Sequence, residues 1–401
     1  MPNVENIKKK ILNNIVYFIL CAYLSIIFGY YFVVLDAGYI LGGDSVRYIE
    51  GARDIINFKL PDGKGTGYLG YIIFISIFQY FKLNLTWVIL IQVILTFLSS
   101  LCIYKISKKL SSHTFAIIVL SLYLFYLPLQ KWNFYILTES IFICLIIFIL
   151  YFSLFFKAKY IPLLFFLIFF YIIFKPHGII LIPSLALSLL TWLYLKDKLI
   201  LFYLAIVFFS FLFFPFLFLL NLNLENVLLL LNLDLENENI ISLVANMGII
   251  WGYESNNNYL EFVIPDNFNN NLISYFSFLK SNISTFTIAF FKKVWFFLFR
   301  IRPFYSDLHN LYIILFNLFY WPAALFGFFK MNKKDNIGVI LMYYLVILYT
   351  LAVGLSWADW DGRFSLYILP IIFIFAGTGF YNIKFLKRKM LMLEEKYLNN
   401  Y

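Results

Sequence analysis

Charge is scarce in this chain. Asp, Glu, Lys and Arg together make 13% of 401 residues, about half the share usual in soluble domains. That shortage excludes a water-soluble globular fold, which could not cover the remaining apolar surface, and it excludes disordered and coiled-coil chains as well. Histidine and cysteine number three each. Cys21, Cys102 and Cys144 all sit inside apolar runs, so neither a disulfide framework nor a Cys-based metal centre is indicated. His113, His177 and His309 are far apart and form no transition-metal motif. No internal repeat and no linker between soluble domains is visible. What the chain has in abundance is apolar surface, at 63% hydrophobic and 22% aromatic residues, which lipid accepts as solvent.

Apolar runs bounded by charge fall at 11–35, 66–81, 85–104, 112–128, 133–156, 160–174, 177–195, 199–220, 286–301, 309–329, 337–355 and 364–382. Two of them stand apart. The run 66–81 is short for a bilayer crossing and opens among Gly65, Gly67 and Gly70, and 286–301 carries Lys292 and Lys293 in its middle. Each lysine at bilayer depth costs about 2.5–3.5 kcal/mol on insertion scales. We therefore expect these two runs to lie in the interface and the others to cross. The first run, following Lys8-Lys9-Lys10, is too long for the core of a cleaved signal peptide and reads as a retained crossing.

Orientation supports that choice. With the N-terminus inside, the short inside segments hold Lys105, Lys108 and Lys109, then Lys157 and Lys159, Lys196 and Lys198, Lys330, Lys333 and Lys334, and the basic C-terminus. Most acids then face outward, as the positive-inside rule requires. If all the runs crossed, several basic clusters would change sides. The expected fold is thus an all-α polytopic membrane protein forming one integral membrane domain over 1–401. It has about ten transmembrane helices, N-in and C-in, with outer loops 36–84 and 221–308 and interfacial helices in the first outer loop and near 286–301. The net charge of +10 is accounted for by this topology, so no nucleic-acid partner is implied.

After the first crossing the chain reads Leu41-Gly42-Gly43-Asp44-Ser45-Val46-Arg47, and Val46, Ile49, Ala52 and Ile56 recur at helical spacing. That pattern predicts an amphipathic helix on the membrane surface. Asp44, at its start, is placed either to cap the helix or to present a carboxylate where lipid meets water. Further on, Thr138-Glu139-Ser140 puts an acid at the outer end of an apolar helix. An ionisable residue there marks a functional site by default, against the plainer reading of a first-turn acid favoured by the helix dipole. Lys175-Pro176-His177-Gly178 and Asp361-Gly362-Arg363 stand at the outer ends of later runs, and Phe299-Arg300-Ile301-Arg302-Pro303 follows an aromatic stretch.

The order of these features resembles the GT-C membrane glycosyltransferases, most closely the protein O-mannosyltransferase and aminoarabinose-transferase-like proteins. The likeness rests on an acid just past the first crossing, a Gly-Tyr-rich interfacial run and a crossing that ends in basic residues. It rests further on Thr138-Glu139 at the head of a later helix, Lys175-Pro176-His177-Gly178, and the Arg363-to-Pro370 stretch. The resemblance implies transfer of a sugar from a polyprenyl-phosphate-linked donor to a glycan, lipid or protein acceptor. The site would lie on the outer face of a bacterial inner (plasma) membrane. It implies Asp44 as the base that takes the acceptor's proton and Glu139 as the second acid, orienting the acceptor. The pair of carboxylates also suits a divalent Mg or Mn ion. Arg300, Arg302, Arg363, Lys175 and His177 are the outward groups suited to the donor's phosphate, which gains negative charge as the leaving group departs. An O-antigen-type polymerase or ligase would instead depend on an Arg in 221–308 and leave Asp44 dispensable. A lipid-linked sugar transporter or flippase would move its cargo without covalent transfer.

Overall fold

The fold was established as a computed structural model. It describes residues 4–36, 38–61, 63–198, 200–203, 277, 280–302, 305–331, 336–355 and 363–383. These residues are helical almost throughout, with one isolated β-bridge, between Ile40 and Tyr135. We number the helices α1 (Val4–Gly29), α2 (Ser45–Ile56), α3 (Leu69–Tyr80), α4 (Thr86–Leu110), α5 (His113–Phe125) and α6 (Leu127–Gln130). They continue as α7 (Glu139–Leu154), α8 (Ile161–Phe174), α9 (Leu181–Leu195), α10 (Ile283–Phe299), α11 (Asp307–Lys330), α12 (Ile337–Leu355) and α13 (Leu369–Asn382).

Five helical stretches among the described residues are long and apolar enough to cross a membrane: Lys10–Val34, Thr86–Leu110, Pro176–Leu195, Asp307–Lys330 and Ile337–Leu355. A sixth candidate is a broken one, α5 followed by Leu127–Phe134 across a 55° bend. Helices α7, α8 and α13 are apolar but shorter. The protein is thus an α-helical membrane protein by length and composition. Most of the expected crossing at 199–220 lies outside the described residues.

Helices α2 and α3 have 12 residues each, about 18 Å at 1.5 Å per residue, which is too short to cross a ~30 Å hydrocarbon layer. They pack on each other, and Gln79 of α3 donates to the Ile49 carbonyl of α2. The buried face of α2 is not the one its aliphatic residues suggest. Ser45, Tyr48, Gly51 and Ala52 are buried whereas Val46 is exposed. Tyr48 accounts for the rotation, since its ring packs against Tyr68 and Tyr71 and buries more surface than Val46 could.

The most extensive helix pairing is between α11 and α13. Without a hydrophobic force between helices in lipid, close backbone approach through small residues provides the attraction. Ala323 and Gly327 of α11 meet Phe375 and Gly379 of α13 in the buried seam, while Gly377 of α13 faces Val119 of α5. A Cβ placed on Gly379 would come within 1.8 Å of the Ala323 carbonyl oxygen, and one on Gly327 within 1.9 Å of the Phe375 carbonyl. No side chain can rotate away from that clash, because both obstacles are backbone. Gly379→Ala is therefore predicted to lower stability by about 1–3 kcal/mol, read as a reduced unfolding midpoint in detergent, whereas Thr350→Ala on α12 leaves it nearly unchanged.

Candidate functional site

Four charged side chains from distant parts of the sequence converge at one end of the helix assembly. Their positions follow from local backbone chemistry. Past the first crossing the chain pairs with the stretch before α7: the Ile40 amide donates to the Phe134 carbonyl at 2.9 Å, and the Ile136 amide donates to the Ile40 carbonyl at 3.1 Å. Ser45 continues the connection, donating through its hydroxyl to the Ile136 carbonyl at 2.9 Å while accepting from the Gly42 amide. This short pairing brings Asp44, which precedes α2, towards Glu139, the first residue of α7.

Lys175 owes its position to Pro176. A residue before proline is pushed out of the helical region, and Lys175 is extended at φ −159°, ψ 144°. That ends α8 and swings the lysine towards Glu139. Gly70 permits the approach of α3 to the same helix end, since a Cβ there would lie 3.0 Å from the Phe174 Cα. Arg363 opens the short 3₁₀ turn Arg363–Tyr367 that leads into α13.

The resulting geometry is a chain of opposite charges. Lys175 Nζ is 2.8 Å from Glu139 Oε1. A single nitrogen of Arg363, Nη1, lies 3.4 Å from Asp44 Oδ2 and 3.9 Å from Glu139 Oε1. Arg47 reaches the other oxygen of Asp44 at 3.4 Å. Burial is graded along the chain. The Glu139 side chain is 2% exposed, whereas Arg363 and Asp44 are 24% and 30% exposed. The cluster is therefore sealed at the Glu139–Lys175 end and open at Asp44. Although Asp44 holds the N-cap position of α2, its carboxylate makes no capping hydrogen bond. It is turned instead towards the two arginines.

Burial pulls the Lys175 ammonium below the ordinary lysine range, against the opposing pull of Glu139. It also disfavours the Arg363 cation, but Glu139, Tyr367 and Asp44 outweigh it, so the guanidinium is held still more firmly protonated. The Tyr68 hydroxyl is pushed up to about 12 by burial and then by Asp44 and Glu139. It remains a neutral donor at physiological pH.

Aromatic rings wall the cluster. Lys175 Nζ lies 5.2 Å from the Tyr367 ring centre and 5.9 Å from that of Phe364, within cation–π range. His177 stacks on Phe364 at 4.3 Å, its backbone carbonyl accepts from the Tyr349 hydroxyl, and its Nδ1 is buried without a partner. Of the residues expected at a site, the structure thus gathers Asp44, Glu139, Lys175 and Arg363, with His177 at the edge. Arg300 and Arg302 meet other groups. Arg300 donates to the Tyr126 hydroxyl at 3.3 Å, and Arg302 lies over the Phe296 ring while Asn310 brackets its backbone.

A divalent ion does not fit this arrangement. Arg363 Nη1 already contacts both carboxylates, and Lys175 Nζ shares Glu139 Oε1 with it, so the two cations meet the negative charge a divalent ion would need. Among the described residues no three His, Cys, Asp or Glu side chains converge.

Little in the one-dimensional pattern signals the polar network beneath Glu139. Asn133 is its hub. Its Oδ1 accepts from Thr96 at 2.8 Å and Ser140 at 2.6 Å, and its Nδ2 donates to Gln130 at 2.9 Å. Gln92 donates to the carbonyls of Asn133 and Tyr135, and Tyr23 donates to Gln130. The two bonds from Gln92 satisfy carbonyls of the irregular backbone at 130–138, which lipid would otherwise penalise, and the others hold the side chains of Asn133 and Gln130 in place. The available signal was Gln92 and Thr96, polar residues four apart inside an apolar run.

No protein-family model, no curated protein and no solved structure matches the chain.

Removing Lys175 alone leaves buried Glu139 with only the longer, 3.9 Å contact to Arg363 as a charge partner. Lys175→Met is predicted to cost about 3–5 kcal/mol, seen as a large loss of thermal stability in detergent. The double variant Lys175→Met/Glu139→Gln is predicted to recover most of it, because the stranded charge is gone.

Proposed function

We propose that the chain is a glycosyltransferase of the GT-C type, moving a sugar from a polyprenyl-phosphate-linked donor to an acceptor at the outer face of the membrane. The observation that carries this reading is the alternation of two carboxylates with two cations, open to water at Asp44 and closed in apolar surroundings at Glu139. A transfer of this kind needs a base for the acceptor and a fixed positive field for the leaving phosphate, and both stand within one cluster.

In the proposed reaction the donor's tail stays in the bilayer and its phosphate comes to the open side of Arg363, with Lys175 adding positive field from the sealed end. The phosphate replaces carboxylate contacts at Arg363 and frees Asp44. An acceptor hydroxyl then gives its proton to Asp44 as its oxygen attacks the anomeric carbon. The bond from that carbon to the phosphate oxygen breaks, and the electron pair leaves with the phosphate, whose new charge is held by the guanidinium and the ammonium. Glu139 keeps Lys175 in place and balances its charge between turnovers. Tyr68 remains protonated and is available as a donor to a sugar hydroxyl.

Sidedness belongs to the same proposal, and α7 supports it. One end of α7 carries Glu139. At the other end, Lys109 donates to the Leu154 carbonyl, and Lys105 and Lys109 lie over Tyr151 and Phe155. The ion cluster and the basic collar are thus separated by a 16-residue apolar helix, about 24 Å. Lysine-rich ends stay in the cytoplasm, which puts the cluster outside. The ten-crossing arrangement, N-in and C-in, needs the broken pair at α5, α7, α8 and α13 each to cross, together with 199–220, most of which lies outside the described residues.

Purified Asp44→Asn is predicted to lose at least 100-fold in transfer from radiolabelled polyprenyl-phosphate sugars, the range of general-base catalysis. Glu139→Gln is predicted to lose activity as well. Undiminished transfer in both variants would remove the reading. Loss on replacing only an arginine of 221–308 would favour a polymerase or ligase, and movement of the lipid-linked sugar without transfer would favour a flippase.

A further inference from the structure

We infer that Arg300 forms a second anion site, separate from the Asp44–Glu139 cluster, and that it takes the phosphate of a membrane lipid. Arg300 is 3% exposed. It terminates α10 in the left-handed region at φ 59°, a conformation unfavourable for a residue with a side chain and kept only where the surroundings hold it. Its Nη1 donates to the Tyr126 hydroxyl, and its guanidinium lies 5.6 Å from the Tyr126 ring centre. Its Nε is buried with no acceptor. Among the described residues no carboxylate pairs with it: the ion pairs there join Asp44 and Glu139 to Arg47, Lys175 and Arg363.

A desolvated guanidinium with one neutral partner is an unfavourable state that an anion relieves. Phosphate matches the planar donor fork best. The surroundings suit a lipid as its source. Tyr126 is fixed by the rings of Tyr312 and Phe316 on α11. The adjoining face of that helix presents Leu308, Leu311, Leu315 and Leu318, all exposed, and Leu127 beside Tyr126 is exposed too. These leucines recur at helical spacing and form an apolar stripe that passes the level of Arg300, which Asn317 marks by donating to the Phe299 carbonyl. A phosphate held at Arg300 would lie beside that stripe, with an acyl or prenyl tail along it. Because the site uses none of the groups given roles in transfer, it stands or falls independently of that reading.

The test uses full-length protein, delipidated in detergent and titrated by native mass spectrometry. The probes are dioleoyl phosphatidic acid, dioleoylglycerol with the same tails and no phosphate, and inorganic phosphate. We expect phosphatidic acid to bind, dioleoylglycerol not to, and Arg300→Met to weaken the phosphatidic acid adduct at least 10-fold. Arg300→Lys should weaken it less, since it keeps the charge and loses only the fork. Arg363→Gln should leave the adduct in place, which separates this site from the transfer centre. Displacement by equimolar inorganic phosphate would support the anion site and assign its ligand to soluble phosphate. Without lipid, Arg300→Met should unfold at or above the wild-type temperature, because an unpaired buried charge has been removed. Phosphatidic acid should then raise the midpoint of the wild type but not of the variant. Equal phosphatidic acid binding by wild type and Arg300→Met would overturn the proposal. So would a variant that melts well below wild type without lipid, since that marks a guanidinium already paired within the protein.

Discussion

The buried ion pair between Lys175 and Glu139 is the constraint around which the rest of the site is arranged. Neither charge can be left alone in a wall of Phe142, Phe364 and Tyr367, so each fixes the other. To bring them within 2.8 Å, α8 must end at Lys175 and α7 must begin at Glu139. Arg363 must then lie close enough to share both carboxylates. The pair also sets the access gradient: the sealed end holds the geometry, and the open end, at Asp44, meets solvent.

That arrangement is possible because the backbone around it is satisfied without water. Residues 130–138 run irregularly between apolar helices; Gln92 and Ser45 donate to their carbonyls, and Thr96, Gln130, Asn133 and Ser140 bond one another beside them. Lipid tolerates irregular backbone only where protein groups meet its polar atoms. The network therefore joins two requirements, support for a bend in the chain and placement of a carboxylate. Elsewhere the assembly relies on the opposite device, backbone contact through small residues, as in the α11–α13 seam.

Much of this was legible in the sequence, for identifiable reasons. The apolar runs gave the helical membrane class because lipid imposes a strong compositional signature. Asp44, Glu139, Lys175 and Arg363 were legible as candidates because each is an ionisable residue at the end of an apolar run, where its cost must be met by a purpose. Their convergence was not legible. It depends on the Ile40–Tyr135 pairing and on the extended conformation at Lys175, and the first has no sequence pattern of its own. On α2 the aliphatic spacing finds Ile49 and Ala52 on the packed face but not Tyr48, whose aromatic packing leaves Val46 exposed. Arg300 and Arg302 look equivalent to Arg363 in a one-dimensional reading, since all three stand at the end of an aromatic or apolar run. Only the fold separates them, placing Arg300 against Tyr126.

The central claim is that residues 44 and 363, more than three hundred positions apart, meet in one water-accessible cluster on the side of the membrane opposite the basic helix ends. The most direct measurement replaces Cys21, Cys102 and Cys144 by serine and introduces cysteine at 44 and 363. A short bifunctional thiol reagent that cannot cross membranes is then applied to intact cells. The account predicts an intramolecular cross-link formed from the outside. Absence of the cross-link in folded protein, or its formation only after the cytoplasmic side is opened, would contradict it.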